Sequence, residues 1–252
     1  ITGSNVIVKS GEYNFSISFN IVIEADKSYK INDNSLKYKI PNSTKDYIRY
    51  IMFTSGSAGE PKCIQISNSS LLSFIDWLKR EHPFASNSVF MNQASFSFDL
   101  SAYNIFGTLH NGSTIVLIDQ YTSNNPTLFY SKLNKYKVDT WISTPSFAYK
   151  FIMDPNFSSI NLESIKTFIF IGEVLTKKMV IKLKEKFKSK EIINSYGPTE
   201  ATVATSFINC SNNIIKKYND IPIGVEKING EILLFDNKNK LSKRGEIIIA
   251  GD

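Results

Sequence analysis

The sequence predicts an α/β fold: a mostly parallel sheet with flanking helices, plus a small C-terminal β-subdomain. Three observations carry that expectation. From Tyr47 onward, short apolar runs alternate with segments whose apolar residues recur at helical spacing, the pattern of a parallel sheet covered by helices. The residues that follow five of those runs are hydroxylated, glycine-rich, amide-bearing or acidic, and in such sheets ligands collect at strand carboxyl ends. Beyond about Ile208 the texture changes to short strands joined by polar turns. The expected division is residues 1–207 as the α/β core and residues 208–252 as a β-subdomain of the same large domain.

Taken in order, Val6–Lys9 and Phe15–Ile23 read as strands ahead of a polar connector, Asn32–Asp46. Tyr47–Phe53 is a β-rich apolar run. Ser67 or Asn68 caps a helix with Leu71, Leu72, Ile75 and Leu78 on its apolar stripe. Val89–Asn92 and Thr114–Ile118 read as strands, with a helix over Ser101–Leu109 between them. Pro126 opens a helix carrying Leu128, Leu133 and Tyr136. Val138–Ser143 and Lys166–Ile171 are strands, and a basic amphipathic helix with Met179, Leu183 and Phe187 inward follows the second. Glu191–Ser195 is a further strand, and Ile221–Ile223, Glu231–Phe235 and Glu246–Ala250 make up the terminal β region.

Composition narrows the function classes. With 252 residues, 42% of them hydrophobic, the chain can bury a sizeable core, and 13% aromatic content argues against disorder. The net charge of +6 comes from lysines scattered over 177–190, 216–217 and 238–244 without interleaved aromatics. These read as solvated faces, and no nucleic-acid partner is expected. Cys63 and Cys210 belong to no CxxC or Cys/His spacing, so neither a metal centre nor a structural disulfide is implied. No apolar run reaches spanning length, so no membrane insertion is expected and a cytoplasmic location is the default. His82 and His110 lie outside any motif with a nearby Ser or Cys nucleophile, which leaves a hydrolytic triad without support.

The most informative segment is Tyr50–Lys62, YIMFTSGSAGEPK. An apolar strand feeds a loop of small and hydroxylated residues that ends in Pro61-Lys62. Backbone amides of such a loop can wrap phosphate oxygens, Thr54, Ser55 and Ser57 add hydroxyl donors, and Gly56 and Gly59 permit turns that a Cβ would obstruct. Lys62 can place a cation beside the anion. No Gly-Lys-Ser/Thr closes the loop, so it is not a Walker motif. TSGS alone also reads as a surface turn; the strand before it and the Pro-Lys after it favour phosphate binding. Asp99 sits in the apolar frame of Phe96, Phe98 and Leu100, where an unpaired carboxylate is costly. It reads either as a helix N-cap or as the partner of a substrate cation.

These segments, in this order, resemble the adenylate-forming enzymes: acyl-CoA synthetases, luciferases and the adenylation domains of nonribosomal peptide synthetases. The resemblance rests on the phosphate loop, on Phe98–Ser101 (FDLS), Gly172–Leu175 (GEVL), Asn194–Glu200 (NSYGPTE), Pro222–Gly224 (PIG) and Gly245–Gly251 (GEIIIAG). Within the superfamily, FTSGSAGEPK, NQASFSFDLS, STPSFAYKFIMDP and NSYGPTEATVA are most similar to the D-alanine–D-alanyl carrier protein ligases. The resemblance implies the partial large N-terminal domain of such an enzyme. It also implies its chemistry: Mg²⁺-ATP adenylates a small amino acid, D-alanine favoured, pyrophosphate leaves, and the acyl group passes to a phosphopantetheinylated carrier protein. The alternatives are a carboxylate–CoA ligase and a nucleotide-binding fragment without turnover.

Residue by residue, the resemblance implies that Thr54, Ser55, Gly56, Ser57, Gly59 and Lys62 hold ATP phosphates, with Thr54, Lys62 and Glu200 the catalytic set. Tyr196 stacks on adenine, Asn194 reads its exocyclic amine, and Ser195, Gly197 and Pro198 complete the nucleotide turn. Thr199 contacts the α-phosphate, and Glu200 holds Mg²⁺. Asp99 grips the α-amino group, while Thr144, Ile171 and Val203 line the substrate pocket. Three departures stand out. Cys63 follows the loop lysine where the family has Gly, and Glu60 places a negative charge beside the phosphates. Ile171 stands where the D-alanine ligases carry Cys, leaving glycine and L-alanine open beside D-alanine. The chain opens without Met and ends at Asp252, ahead of the family's ribose-binding Asp and C-terminal lysine. A core piece of a longer protein, impaired in turnover by itself, is the expectation.

Overall fold

The structure, a computed structural model, describes residues 6–9, 21–24, 48–54, 61–82, 84, 87–110 and 112–251. It comprises two compact units, Ile1–Asn42 and Ser43–Asp252. In the first, β1 (Val6–Lys9) and β2 (Ile21–Glu24) pair in parallel. The first part of the expected strand Phe15–Ile23 lies outside the described residues.

The second unit opens with β3 (Ile48–Thr54) and β4 (Lys62–Ser67), which pair antiparallel with Thr54 opposite Lys62. This corrects the placement of the Tyr47–Phe53 run among the strands of the parallel sheet. The glycine-rich segment joins the two strands of a hairpin instead of leading from strand to helix. The cause is KCIQIS, where Ile64 and Ile66 alternate with Cys63 and Gln65 in the two-residue period of a strand. Ser67 then caps α1 (Asn68–Glu81), its hydroxyl accepting the Ser70 amide at 3.1 Å. The buried stripe of α1 is Leu71, Phe74, Trp77 and Leu78, whereas Leu72 is 54% exposed. Helical spacing from Leu71 reaches 74, 75 and 78 but not 72, and Ile75 is partly buried against the same cluster.

Seven strands form the main sheet in the order β6, β5, β7, β8, β9, β10, β11. β5 (Val89–Asn92), β6 (Thr114–Leu117), β7 (Thr140–Ser143), β8 (Thr167–Phe170) and β9 (Glu191–Tyr196) run parallel. Between them lie α2 (Leu100–His110), α3 (Gln120–Asn124), α4 (Pro126–Lys135), α5 (Pro145–Ile152) and α6 (Lys177–Lys186). In α4 the inward residues are Phe129, Tyr130 and Leu133, while Leu128 and Tyr136 are exposed at 42% and 46%. A 3₁₀ turn, Thr199–Ala201, leads to β10 (Ser206–Asn209), antiparallel to β9. After α7 (Asn212–Lys217), β11 (Val225–Glu226) adds one more antiparallel strand. β12 (Gly230–Phe235) and β13 (Glu246–Gly251) form a separate two-stranded sheet.

Ile221–Ile223 is not a strand. Pro222 has no N–H for a ladder, and side chains satisfy the neighbouring carbonyls: Asn194 Nδ2 donates to Pro222 O at 2.9 Å and Ser206 Oγ to Ile223 O at 2.9 Å. The sheet is clad on both faces. On one side Trp141, fully buried, meets the rings of Phe129, Phe151, Phe157 and Phe168. On the other, α1 and α2 bury Phe74, Trp77 and Tyr103 against Phe90 and Ile193. Each fully buried ring of this kind stabilises by roughly 1.5–3 kcal/mol. Such packing holds the strand ends, and the loops that spring from them, in fixed relation.

Candidate active site

A cavity of about 630 Å³ opens at the carboxyl ends of four parallel strands. Ala94 follows β5, Thr144 follows β7, Ile171 and Gly172 follow β8, and Gly197, Pro198 and Thr199 follow β9; all line it together with Asp99 and Val203. Every residue of the expected substrate set (Asp99, Thr144, Ile171 and Val203) thus reaches one space. At its base the Thr199 hydroxyl donates to Asp99 Oδ2 at 2.7 Å, joining two motifs a hundred residues apart. Burial lifts the Asp99 carboxyl above its usual range, the Thr199 and Leu100 hydrogen bonds oppose that, and the Glu200 charge adds to it. A half-buried carboxylate with one hydroxyl partner retains acceptor capacity for a cation.

The walls are set by backbone detail. Thr144 caps α5, its Oγ1 accepting the Phe147 amide at 3.3 Å. Glu173 accepts from the Ser146 amide at 2.9 Å and from the Ser146 hydroxyl at 2.7 Å, tying the GEVL loop to the α5 N-terminus, where a carboxylate is favoured. Thr202 and Val203 both lie in the left-handed region, at φ 61° and 70°. For a β-branched residue that conformation is strained, and such strain is characteristic of sites the surrounding structure over-determines. It lets the chain double back against β9. A Cβ on Gly197 would stand 2.5 Å from Ala204 Cα, so only glycine fits there.

A second cavity, of about 330 Å³, shares Gly172 and Gly197 with the first and is lined by Glu173, Asn194, Tyr196 and Ile221. Asn194 lines this cavity and donates its amide nitrogen to Pro222 O, which leaves Oδ1 with acceptor capacity. Asn194 and Tyr196 share one face of β9 by strand alternation. Ser195 points to the other face, buried, with its hydroxyl donating to Ser206 O at 3.0 Å. Its side chain is therefore engaged in holding β9 to β10, while its main chain borders the cavity.

Thr54 and Lys62 stand opposite each other at the loop end of the β3–β4 hairpin, and β4 packs against the Thr199–Ala201 turn. Ser55, Gly56, Ser57 and Gly59 lie outside the described residues. Glu200 is exposed in the turn and lines a smaller space of about 140 Å³ with Ser70 and Lys227. Among the described residues, no group of three His, Cys, Asp or Glu gathers to hold a metal. A single exposed carboxylate fits Mg²⁺, which takes one or two protein carboxylates and otherwise water and phosphate oxygens.

Sequence reasoning missed Lys150, which lines the large cavity with its ammonium 5.5 Å from the Phe147 ring centre. Helical spacing from Ser146 and Phe147 was the available signal. At the start of the Tyr50–Lys62 segment, the Tyr50 ring stacks on Phe106 and its hydroxyl is buried without a hydrogen-bond partner among the described residues. Burial, then the Asp99 charge, raises the Tyr50 phenol.

Fold and site together define an α/β protein with adjoining acidic and amide-lined cavities at the strand carboxyl ends, one class of nucleotide-binding architecture. The chain belongs to the AMP-binding enzyme family, whose model matches residues 5–252. It is 42% identical over 205 residues to a D-alanine–D-alanyl carrier protein ligase of Bacillus licheniformis, covering 80% of this chain and 41% of that protein. A ligase of the same name from Bacillus cytotoxicus is 39% identical over 222 residues, covering 85% and 44%. The chain thus spans about two fifths of the length of the curated relatives it matches. Among solved structures, the nonribosomal peptide synthetase FmoA3 superposes with a TM-score of 0.80 at 18% identity, covering 99% of this chain and 27% of that one, a likeness of fold. Among the described residues, no helix is long and apolar enough to cross a membrane.

Proposed function

We propose that this chain supplies the nucleotide and amino-acid sites of a ligase that adenylates a small amino acid and hands it to a carrier-protein thiol. The observation that carries the reading is Asp99, a half-buried carboxylate at the base of the large cavity, held by Thr199 of the YGPTE turn at 2.7 Å. An ammonium group placed there offsets the burial of the carboxylate and forms a charge-assisted hydrogen bond. A carboxylate–CoA ligase acting on fatty or aryl acids has no use for that group. The names of the relatives support D-alanine as the amino acid, and Ile171 lines the same cavity as Asp99.

In this reading ATP is the co-substrate. Its adenine enters the smaller cavity, against Tyr196, with its exocyclic amine donating to Asn194 Oδ1. The amino acid's carboxylate oxygen attacks the α-phosphorus, the bond to the bridging oxygen breaks, and pyrophosphate carries away the charge. Thr199 lies beside the reacting phosphate, and the Thr54–Lys62 hairpin offers donors and a cation to the departing oxygens, electrostatic assistance with no covalent role. Glu200 is the residue that would hold Mg²⁺, which would supply charge neutralisation at the phosphates. The carrier thiol, as thiolate, then attacks the acyl carbon and AMP leaves, its proton passing to solvent. In this scheme β12 and β13 act as a small β-subdomain apart from the main sheet, to which β10 and β11 belong, and the cytoplasm, where ATP is available, is the compartment that suits it.

The test is amino-acid-dependent pyrophosphate–ATP exchange by the complete gene product and by this chain, across D-alanine, L-alanine, glycine, D-serine and a set of fatty and aryl acids. Exchange with a small amino acid supports the proposal. Exchange with fatty or aryl acids alone refutes it.

A further inference from the structure

Helices α5 and α6 pack side by side, and Lys182 Nζ reaches Met153 Sδ at 3.5 Å, so their outer surfaces form one ridge. Along it Tyr149 and Met153, one turn apart, are 53% and 71% exposed, and Ile181 is 39% exposed. Lys178, Ile181 and Lys182 share a face of α6 by their spacing, and exposed Lys150 stands beside Tyr149. Acidic neighbours are largely engaged elsewhere. Glu173 is bound by Ser146, and Asp154 accepts from the Tyr130 hydroxyl and the Asn156 amide, which leaves Glu185 one turn further along α6. Apolar side chains exposed together and rimmed by one sign of charge mark a protein-recognition surface.

Two features select the occupant. The rim is cationic, with α6 alone reading KKMVIKLKEK, so the facing surface of the partner is acidic. The ridge also runs into the site, because Lys150 and Phe147 belong both to α5 and to the wall of the large cavity. A partner seated there stands next to a wall of that cavity. Its apolar centre suits a protein better than a nucleic acid, for which lysines interleaved with aromatics would serve. We infer that the α5–α6 ridge is the docking surface for an acidic carrier protein that presents its prosthetic thiol to the cavity. This inference rests on the adenylation-and-transfer reading.

The test is the double variant Lys178→Glu/Lys182→Glu in the complete gene product, assayed with the phosphopantetheinylated carrier protein of the same organism. Neither lysine touches the cavities, so exchange in the absence of carrier should match the parent. In thioester formation the KM for carrier should rise roughly tenfold or more with kcat retained, and its dependence on salt should flatten. An unchanged carrier KM beside intact exchange overturns the docking surface and leaves the adenylation reading standing. Loss of binding to a DNA duplex, with carrier KM unmoved, reassigns the ridge to nucleic acid. Absence of exchange in the parent removes both inferences.

Discussion

Replacing Asp99 separates charge from shape. Asp99→Asn keeps an oxygen acceptor for the Thr199 hydroxyl, 2.7 Å away in the parent, and removes the negative charge. A hydrogen bond to a charged group is worth about 1.5–3 kcal/mol, and an ammonium left unpaired in the cavity costs more. The limit of about 3–5 kcal/mol for breaking a fully buried pair is not reached, because Asp99 is only partly buried. A loss of about 3 kcal/mol follows, a fall of roughly 100- to 200-fold in kcat/KM for the amino acid. Asp99→Ala also strands the Thr199 hydroxyl and should cost about 1 kcal/mol beyond that. Pyrophosphate–ATP exchange gives the rates, and a titration with ATP alone should show unchanged affinity in both variants. The raised Asp99 carboxyl adds a pH signature. As pH falls through its pKa the carboxylate is protonated and the ammonium contact is lost, so the acid limb of parent kcat/KM lies above the ordinary carboxylate value near ~3.9. Asp99→Asn should lack that limb. A kcat/KM within about threefold of the parent, or an unchanged acid limb, would refute the assigned role.

Three further outcomes are expected. Gly197→Ala forces a Cβ against the backbone of Ala204 and Thr205, atoms that cannot yield as a flexible side chain would. It should cost about 2 kcal/mol, lower the melting temperature by about 4–8 °C and weaken ATP binding; a neutral effect on both would contradict the doubled-back turn. Ile171→Ala opens the pocket and should raise the kcat/KM ratio for a larger amino acid over D-alanine by roughly tenfold or more, measured by exchange; a fixed ratio means that Ile171 does not gate size. His82, buried among Trp77, Phe84, Tyr103 and Phe207, is held neutral, its pKa lowered by burial to about 3. Because the unfolded chain takes up a proton near ~6.5 and the folded one does not, its contribution to stability is complete above that pH. It is lost as pH falls toward 3, at up to about 1.4 kcal/mol per unit. Urea unfolding between pH 7 and pH 5 should show that slope in the parent and a shallower one in His82→Gln; equal slopes would rule the residue out.

Several of the sequence motifs meet around one cavity because each occupies a short segment at a strand end. Asp99, Thr144, Ile171 and Thr199 are far apart in sequence and line one cavity for that reason. What sequence reasoning misjudged was geometry between elements. The Lys62–Ser67 strand is hard to read from sequence because its alternation covers only six residues and it directly follows a glycine- and serine-rich segment. Treating Asn194–Glu200 as a unit hid the alternation that turns Ser195 away from the face shared by Asn194 and Tyr196. Lys150 was passed over because a lysine on an exposed helical face looks like any other solvated one. Only the packing of α5 beside the GEVL loop brings it to the cavity wall.

The central claim is that one pair of adjoining cavities holds an amino acid at Asp99 and adenosine at Asn194 and Tyr196. A crystal structure of the complete gene product with a non-hydrolysable D-alanyl sulfamoyl-adenosine tests it most directly. The amino nitrogen should lie within hydrogen-bonding distance of Asp99, about 3 Å, with adenine against Tyr196 and its amine on Asn194 Oδ1. An analogue bound with its amino group turned from Asp99, or its adenine outside the smaller cavity, would contradict it.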